Sequence, residues 1–235
     1  MKNLVSIFIW ILVILYASFF LIFALGCTYL FPVRIYDPLL KKMLRFTFFL
    51  LGSSVEMEGR HYAAPGATYL FMANHVSLFD LPLLAGFIPG SVRGVEAHSH
   101  FSWPLYGWVT KRLGNIPINR ESIQQSVGSM RKVQSLLESG HSMIILPEGH
   151  RTLDGQTKPF KTLPFAMVKQ TNTGIIPIGL SGLYDLKRKG SWKISPSKIK
   201  ISLGPEITKD QIAGFSAPEL RDYVQNEIAR LIEKP

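Results

Sequence analysis

The chain has 235 residues, of which 47% are hydrophobic, and its 26 Lys and Arg against 16 Asp and Glu give a formal net charge of +10. This length suffices for one sizeable core, and the positive charge suits either nucleic acid or the anionic face of a bilayer. The single cysteine, Cys27, excludes an intrachain disulfide and a cysteine-based zinc site, which favours a reducing compartment.

The N-terminal segment from Leu4 to Phe31 contains no charged residue. Since about 20 apolar residues cross a hydrocarbon core as a helix, this segment predicts a membrane helix. A cleaved signal peptide has an apolar region of only about 7–15 residues, so this run is too long for one. Lipid attachment at Cys27 is a further alternative, although Ala24 stands where a branched aliphatic residue is usual.

Residues 36–52 form a second apolar segment with a different pattern. Apolar residues recur in it at helical spacing: Leu39, Leu40, Met43, Leu44 and Phe48. Lys41, Lys42 and Arg45 supply a basic flank, which predicts an interfacial helix. Because basic residues after the first segment outnumber Lys2 before it, we expect the remainder of the chain in the cytosol. Either the first segment spans the bilayer, or the two segments form a hairpin within one leaflet.

Beyond Gly52 short apolar runs, bounded by Gly, Pro, Ser and Asn, alternate with helical stretches. This pattern predicts an α/β fold with a mostly parallel central sheet flanked by helices. The expected strands are Val55–Gly59, Thr68–Ala73, Ser91–Ala97, Asn115–Asn119, Ser142–Pro147, Gly174–Leu180 and Lys198–Leu203. We therefore assign residues 1–51 to a membrane anchor and residues 52–235 to a catalytic domain.

Two longer helices are predicted within this second part. The first covers Glu121 to Ser139 and ends at Gly140; its expected apolar stripe is Ile123, Val127, Met130, Val133 and Leu137. The second begins at Ser216, where Ser216 and Glu219 form an S-x-x-E capping pattern. We interpret the apolar stripes of both helices as core.

The strand before Asn74 delivers a histidine, His75, with Asp80 five residues later, and no other of the six histidines has Asp at that spacing. A neutral imidazole can take a proton from an attacking hydroxyl at cytosolic pH. A carboxylate on the other ring nitrogen would fix the tautomer and stabilise the imidazolium. Alternatively, His75 is an ordinary loop residue and Asp80 is the N-cap of a helix that opens at Leu81.

Two arginines also follow predicted strands, Arg120 after residues 115–119 and Arg151 after residues 142–147. Ligands of open α/β sheets collect at the carboxyl ends of strands, so these arginines and His75 are expected in one pocket. Guanidinium groups suit phosphate oxygens, and Gly149 permits close backbone approach. The alternative for each arginine is a surface ion pair.

Four motifs together resemble the four blocks of the glycerolipid acyltransferase family, whose familiar member is lysophosphatidic acid acyltransferase. They are N-H-x-x-x-x-D at residues 74–80, G-N-I-P-I-N-R at 114–120, P-E-G-H-R at 147–151 and I-P-I at 176–178. Their order and approximate spacing match the family over about residues 52–203.

The resemblance implies that His75 and Asp80 are the catalytic dyad and that Arg120 and Arg151 bind the phosphate of the acceptor. It further implies that Glu148 and Gly149 shape the glycerol pocket. Lys161 matches a basic position found just after the third block.

The implied reaction transfers a fatty acyl group from acyl-CoA or acyl-ACP to the free hydroxyl of a lysophospholipid, 1-acyl-sn-glycerol-3-phosphate, and gives phosphatidic acid. The expected enzyme is an O-acyltransferase with no metal and no bound cofactor. Its expected partners are membrane lipids and the acyl carrier, and its expected location is the cytosolic face of the inner membrane.

This chain departs from the third block at three positions, where Leu146, His150 and Thr152 replace the usual Phe, Thr and Ser. Leu163 stands where the family usually has a glycine after the later lysine. Because His150 lies between the implied glycerol and phosphate contacts, the acceptor head group is open to variation. His150 is otherwise a packed histidine that fills the space of a threonine.

Several alternatives stay open or are disfavoured. The acceptor is alternatively a lyso-aminolipid or another lysophospholipid, or the chain is a non-catalytic member that binds anionic lipid. Nucleic acid is not an expected partner because no recognition motif is present. A hydrolase nucleophile at Ser77 would lack the usual G-x-S-x-G turn, so Ser77 is instead expected to support the loop. A metal site at His98 and His100 lacks acidic partners. The basic stretch Lys187–Lys200 is expected to be a solvated loop, with an orientation toward anionic lipid heads as the alternative.

Overall fold

The computed structural model describes residues 2–233. The helices are α1 (Lys2–Leu30), α2 (Val33–Leu50), α3 (Asp80–Phe87), α4 (Tyr106–Arg112), α5 (Ile123–Glu138), α6 (Leu163–Val168), α7 (Leu183–Leu186), α8 (Lys209–Ala213) and α9 (Ala217–Glu233). The strands are β1 (Ser54–Glu58), β2 (Tyr69–Ala73), β3 (Val92–Ala97), β4 (Ile116–Ile118), β5 (Ser142–Ile145), β6 (Gly174–Ser181) and β7 (Lys198–Leu203).

The strands form a seven-stranded sheet in the order β1-β7-β6-β2-β5-β3-β4. Every neighbouring pair is parallel except β6 and β7, which are antiparallel. The predicted α/β fold with a mostly parallel sheet is therefore confirmed. Because β2 to β6 run in one direction, the loops that follow them emerge at the same edge of the sheet.

The sheet has a hydrophobic layer on each face. On β2, Phe71 belongs to the layer that includes α3, whereas Leu70 and Met72 belong to the layer formed with α5 and α9. This alternation follows from the two-residue side-chain period of a strand. All five residues of β2 are buried, as expected for a central strand of a parallel sheet that is covered on both faces.

The two longer helices predicted from the sequence correspond to α5 and α9. Ser122 is the N-cap of α5 and accepts a hydrogen bond from the backbone N–H of Gln125, and Ser216 and Glu219 exchange side-chain and backbone bonds before α9. The predicted stripe of α5 is wrong at Ile123, which is 84% exposed.

Helices α1 and α2 pack on each other and on the sheet layer that contains Phe71. The hydroxyl of Tyr16 in α1 donates to the carbonyl of Met43 in α2 at 2.9 Å. Ile9 and Val13 of α1 and Phe48 of α2 are buried in the same core as the sheet. The predicted anchor thus shares a core with the predicted catalytic part.

Both ends of α1 contact segments that follow the sheet strands. Near its N-terminus the Trp10 indole donates to the carbonyl of Trp192 at 2.6 Å, and the Ser6 hydroxyl donates to the carbonyl of Ile194 at 3.3 Å. Near its C-terminus Arg112 of α4 donates to the carbonyl of Thr28 at 2.6 Å. The helix is therefore tied to the rest of the fold at both ends.

By length and composition alone, one helix among residues 2–233 is apolar enough to cross a membrane, namely Asn3–Leu30. Only 17% of the most apolar 18 residues of this stretch are buried inside the structure. Its large exposed side chains include Leu4, Phe8, Ile11, Leu15, Phe19 and Ile22. An exposed apolar face of this size is typical of a surface that meets lipid or another protein.

The basic residues of α2 have a structural role that their spacing did not indicate. Lys41 is only 9% exposed, and its ammonium donates to the carbonyls of Ile88 at 2.5 Å and of Gly90. Arg45 donates to the carbonyl of Gly86 at 2.7 Å. These bonds satisfy carbonyls at the C-terminus of α3, which lack partners within the helix. The interpretation of Lys41 as part of a lipid-facing basic flank is therefore wrong.

Candidate active site

His75 and Asp80 lie in the loop between β2 and α3 (residues 74–79) and at the start of α3. His75 Nδ1 lies 2.6 Å from Asp80 Oδ2, with side-chain exposures of 13% and 0%. Since an ionised carboxylate only accepts hydrogen bonds, Nδ1 donates to it, and in the neutral form of the imidazole Nε2 then has a free lone pair. The pair has the geometry of a general base with an orienting carboxylate.

The Asp80 carboxylate also organises the loop that carries His75. Its Oδ2 accepts the backbone N–H of Val76 at 2.8 Å, and both of its oxygens accept the N–H of Ser77 at 3.0 and 3.1 Å. The N-cap position of α3 is Phe79, and Asp80 is the first helical residue. The alternative in which Asp80 is merely the N-cap of this helix is therefore wrong.

The backbone of His75 is bonded on both sides to the loop after β5 (residues 146–161). Its N–H donates to Glu148 Oε1 at 2.6 Å, and its carbonyl accepts the N–H of Thr152 at 3.1 Å. Because β2 and β5 are neighbours, the two loops leave the sheet side by side. The position of the imidazole is thus fixed by two neighbouring strand ends.

Glu148 is only 2% exposed, and both of its carboxylate oxygens are bonded to backbone. Oε1 accepts from His75, and Oε2 accepts the N–H of Lys158 at 2.9 Å. Burial raises the pKa of Glu148 from 4.5 to about 7 against the opposing effect of these two bonds, and the nearby Asp80 raises it further. This carboxylate therefore contacts the protein itself with both oxygens.

Two further residues, Asn74 and Ser77, fix the loop of His75, and sequence reasoning had given this role to Ser77 but not to Asn74. Asn74 is buried and pairs with Leu180 of β6, donating to its carbonyl at 3.0 Å and accepting its N–H at 2.8 Å. The Ser77 hydroxyl donates to the carbonyl of Lys187 at 3.2 Å. The sequence feature that could have indicated this role for Asn74 is its position directly before His75 in the first block. Ser77 therefore supports the loop, as the sequence predicted in place of a nucleophilic role.

A cluster of basic side chains lies at the same edge of the sheet. Arg120 follows β4, and its pKa is lowered by burial and by the positive charge of Arg151. Partial desolvation lowers the pKa of the exposed His150, and four neighbouring cations lower it further: Arg120, Lys189, Lys158 and Lys161. Mutual repulsion of this kind is relieved when an anion binds. The charges of the two predicted arginines are therefore close enough to repel each other.

The glycine and lysine of the third block are also adjacent. Gly149 has a φ of +76°, which favours glycine, and a β-carbon there would lie 3.9 Å from Cγ of Lys161. The N–H of Lys161 donates to the carbonyl of Pro147 at 2.9 Å, which closes the 146–161 loop. Lys161 thus lies over the glycine that follows Glu148.

The loop at residues 187–197 differs from the solvated basic loop that its composition predicted. Lys187 is buried, and its ammonium donates to the carbonyls of Arg188 and Ser191. Its pKa is lowered by burial and by the charge of Arg151, which places it beside the basic cluster. For Lys187 the prediction is therefore wrong, whereas Arg188 and Lys193 are exposed.

An apolar cavity of about 250 Å³ lies between α1, α2, α3 and α4. Phe79 and Leu81, beside Asp80, line one part of it, and Phe20 and Leu40 of the helical pair line another. At Glu96 and Tyr106 its lining becomes polar. An apolar cavity next to the loop of His75 suits a hydrocarbon chain.

Glu96 changes the interpretation of His98 and His100. His100 Nδ1 lies 3.4 Å from Glu96 Oε2, so the expectation that these histidines lack an acidic neighbour is wrong. Glu96 also accepts hydrogen bonds from Tyr106 at 2.6 Å and from Thr110 at 2.8 Å. These hydrogen bonds from α4 side chains to the Glu96 carboxylate hold β3 and α4 together.

Comparison with known proteins places these motifs in a family. Residues 54–181 match the family model described as Acyltransferase. The chain belongs to the acyltransferase family. The matched region of this acyltransferase-family chain contains His75, Asp80, Arg120, Glu148 and Arg151.

Curated relatives carry one common name. The chain is 28% identical over 177 residues to the 1-acyl-sn-glycerol-3-phosphate acyltransferase of Limnanthes alba, a match that covers 75% of this chain and 61% of the plant protein. It is 27% identical over 191 residues to 1-acyl-sn-glycerol-3-phosphate acyltransferase alpha of Homo sapiens, covering 81% and 68%. The chain thus spans about three fifths of the length of the plant relative.

The fold is shared with a solved structure. The crystal structure of the 1-acyl-sn-glycerophosphate (LPA) acyltransferase PlsC from Thermotoga maritima superposes with a TM-score of 0.86 at 24% identity. The match covers 99% of this chain and 97% of that one. It therefore includes the two N-terminal helices as well as the sheet.

Proposed function

We propose that this chain transfers a fatty acyl group from a thioester donor to the free hydroxyl of 1-acyl-sn-glycerol-3-phosphate, which gives phosphatidic acid. The observation that carries the proposal is the 2.6 Å contact between His75 and the buried Asp80, beside a cluster of basic side chains. The curated relatives carry the name of this activity.

In the proposed mechanism His75 Nε2 removes the proton of the acceptor hydroxyl as its oxygen attacks the thioester carbonyl carbon. The new C–O bond produces a tetrahedral intermediate, and Asp80 stabilises the imidazolium that has formed. The C–S bond then breaks, and the imidazolium returns the proton to the departing thiolate. Because the acceptor itself is the nucleophile, the reaction passes through no acyl-enzyme intermediate.

The phosphate of the acceptor is proposed to bind Arg120 and Arg151, with Lys161 as an additional cation. The proximity of Arg120 to Arg151 supports this, since a dianionic phosphate removes the repulsion between them. His150 is exposed near the same cations and is available to contact the head group. Gly149, with its positive φ, keeps this part of the loop free of a side chain.

The donor is proposed to be acyl-CoA or acyl-ACP, and its acyl chain is proposed to enter the cavity between α1, α2, α3 and α4. No step of the proposed mechanism uses a cofactor. The closeness of Phe79 to both the cavity and Asp80 supports this placement.

We further propose that α1 and α2 lie in one leaflet of the inner membrane as a hairpin, with the sheet on the cytosolic side. The contacts of both ends of α1 support a hairpin over a spanning helix: Trp10 bonds to Trp192, and Thr28 bonds to Arg112. Cysteines placed at Asn3 and at Lys42 should react equally with an impermeant maleimide from the cytosolic side. Labelling of the Asn3 position from the opposite side alone would contradict the hairpin.

A lysolipid panel tests the proposed reaction. The purified protein is incubated with labelled acyl-CoA or acyl-ACP and with 1-acyl-sn-glycerol-3-phosphate, other lysophospholipids and a lyso-aminolipid. We expect phosphatidic acid as the dominant product. Preferred acylation of another acceptor would overturn the head-group assignment, and absence of transfer to every acceptor would favour a non-catalytic lipid-binding member.

A further inference from the structure

The side chain of Glu148 crosses from the end of β5 to the loop that follows β2. There it accepts the N–H of His75 at 2.6 Å with one oxygen and the N–H of Lys158 at 2.9 Å with the other. Lys158 belongs to the basic cluster, since its charge lowers the pKa of His150. One carboxylate thus joins the backbone of the proposed base to the backbone of a cation-bearing loop.

We propose that Glu148 is a positioning residue that sets the distance between His75 and the phosphate-binding cations, and that it does not contact the acceptor. The inference rests on the proposed function and replaces the pocket-shaping role that the family resemblance implied for this residue. It follows from where the two carboxylate oxygens point.

Burial limits what else this carboxylate can bind. It is 2% exposed, and each oxygen already accepts a short bond from a backbone N–H. In 1-acyl-sn-glycerol-3-phosphate the one free hydroxyl is the nucleophile, which has to lie at His75 Nε2. A carboxylate placed beside that hydroxyl would also lie near Asp80, whose charge already raises the pKa of Glu148.

Two N–H donors require two acceptor oxygens, which Glu148 supplies in its ionised form, above its pKa of about 7. A glutamine at position 148 keeps the shape of the side chain but offers one oxygen, so either His75 or Lys158 faces an N–H₂ group instead of an acceptor. A small displacement of a proposed base has a large kinetic effect, because proton transfer depends on geometry. The acceptor, held by cations, should bind almost as before.

The test compares Glu148→Gln with the wild type and with Glu56→Gln, a matched change of an exposed carboxylate on edge strand β1. We expect kcat to fall about 10- to 100-fold in Glu148→Gln, with the acceptor KM changed less than threefold. The inhibition constant of the acceptor analogue that lacks the free hydroxyl should also stay within threefold. Glu56→Gln should match the wild type.

Hydrogen exchange supplies a readout that needs no activity. Amides of residues 75–77 and of residues 157 and 158 should exchange faster in Glu148→Gln, while those of β6 keep wild-type protection. A KM raised tenfold or more at unchanged kcat would overturn the inference and make Glu148 a substrate ligand, as would wild-type exchange in both segments. If the wild type transfers no acyl group, the proposed function fails, and the exchange data still test whether Glu148 positions the two loops.

Discussion

Asp80→Asn separates the charge of the orienting carboxylate from its shape. In the wild type, Oδ2 accepts from His75, Val76 and Ser77, and Oδ1 accepts only from Ser77. An amide with its oxygen in the Oδ2 position keeps the bond to His75 Nδ1–H, so the imidazole retains its tautomer and orientation. What is lost is the negative charge that faces the imidazolium.

The size of this loss follows from the short contact. Two unit charges about 4 Å apart interact by about 4 kcal/mol at an effective dielectric constant of about 20, the value that suits partly exposed sites. Each 1.36 kcal/mol of barrier is about tenfold in rate. We therefore expect kcat to fall by about 10²- to 10³-fold, with the KM of the acceptor within about threefold because the basic cluster is unchanged.

The assay measures initial rates of phosphatidic acid formation over a range of acceptor concentrations. Asp210→Asn, which changes an exposed carboxylate on α8, is the matched control and should keep wild-type rates. Thermal unfolding should show that Asp80→Asn remains folded, since most bonds to the loop persist. A folded Asp80→Asn protein with kcat within threefold of the wild type would refute the role of this charge.

Two further predictions concern the basic cluster and Glu148. Arg151→Gln should raise the acceptor KM about 10- to 100-fold, since one charge-assisted bond to phosphate contributes about 1.5–3 kcal/mol. The control is Arg131→Gln, which changes an exposed arginine and should leave KM as in the wild type. An unchanged KM in Arg151→Gln would show that Arg151 does not bind the phosphate. The pKa of Glu148 is raised from 4.5 to about 7, so the folded state binds the carboxyl proton more tightly than the unfolded state does. Protonated Glu148 therefore stabilises the fold at low pH, and this contribution declines as the pH rises from about 4.5 to 7. Denaturant titrations at pH 5 and 7.5 should show that the free energy of unfolding declines, by at most about 3 kcal/mol, in the wild type and not in Glu148→Gln. The same change between the two pH values in both proteins would contradict the raised pKa of Glu148.

Much of the sheet was predictable because its strands are short apolar runs between turn residues. Each of the seven predicted strands overlaps an observed one, from Ser54–Glu58 to Lys198–Leu203. The direction of β7 was not predictable, because an apolar run carries no information about parallel or antiparallel pairing. Helices α4 and α6 to α8 span only four to seven residues, too few turns for a helical periodicity to be recognised.

The site was predictable where a motif places a side chain after a strand, as for His75 and Arg120. It was not predictable where the partner is a backbone group distant in sequence. Glu148 bonds to the N–H of His75, and Lys41 and Lys187 bond to carbonyls, none of which leaves a pattern of residue types. Charge alone therefore predicted solvated lysines at two positions, Lys41 and Lys187, where the side chain is buried and bonded to backbone carbonyls.

The most direct test of the account is turnover by His75→Ala. The variant is compared with the wild type for transfer of a labelled acyl group from the donor to 1-acyl-sn-glycerol-3-phosphate, and binding of the acceptor is measured in parallel. We predict that kcat falls by about 10²- to 10⁴-fold, the contribution of a general base, while the acceptor still binds with near wild-type affinity. Turnover by His75→Ala at a rate close to that of the wild type would contradict the account.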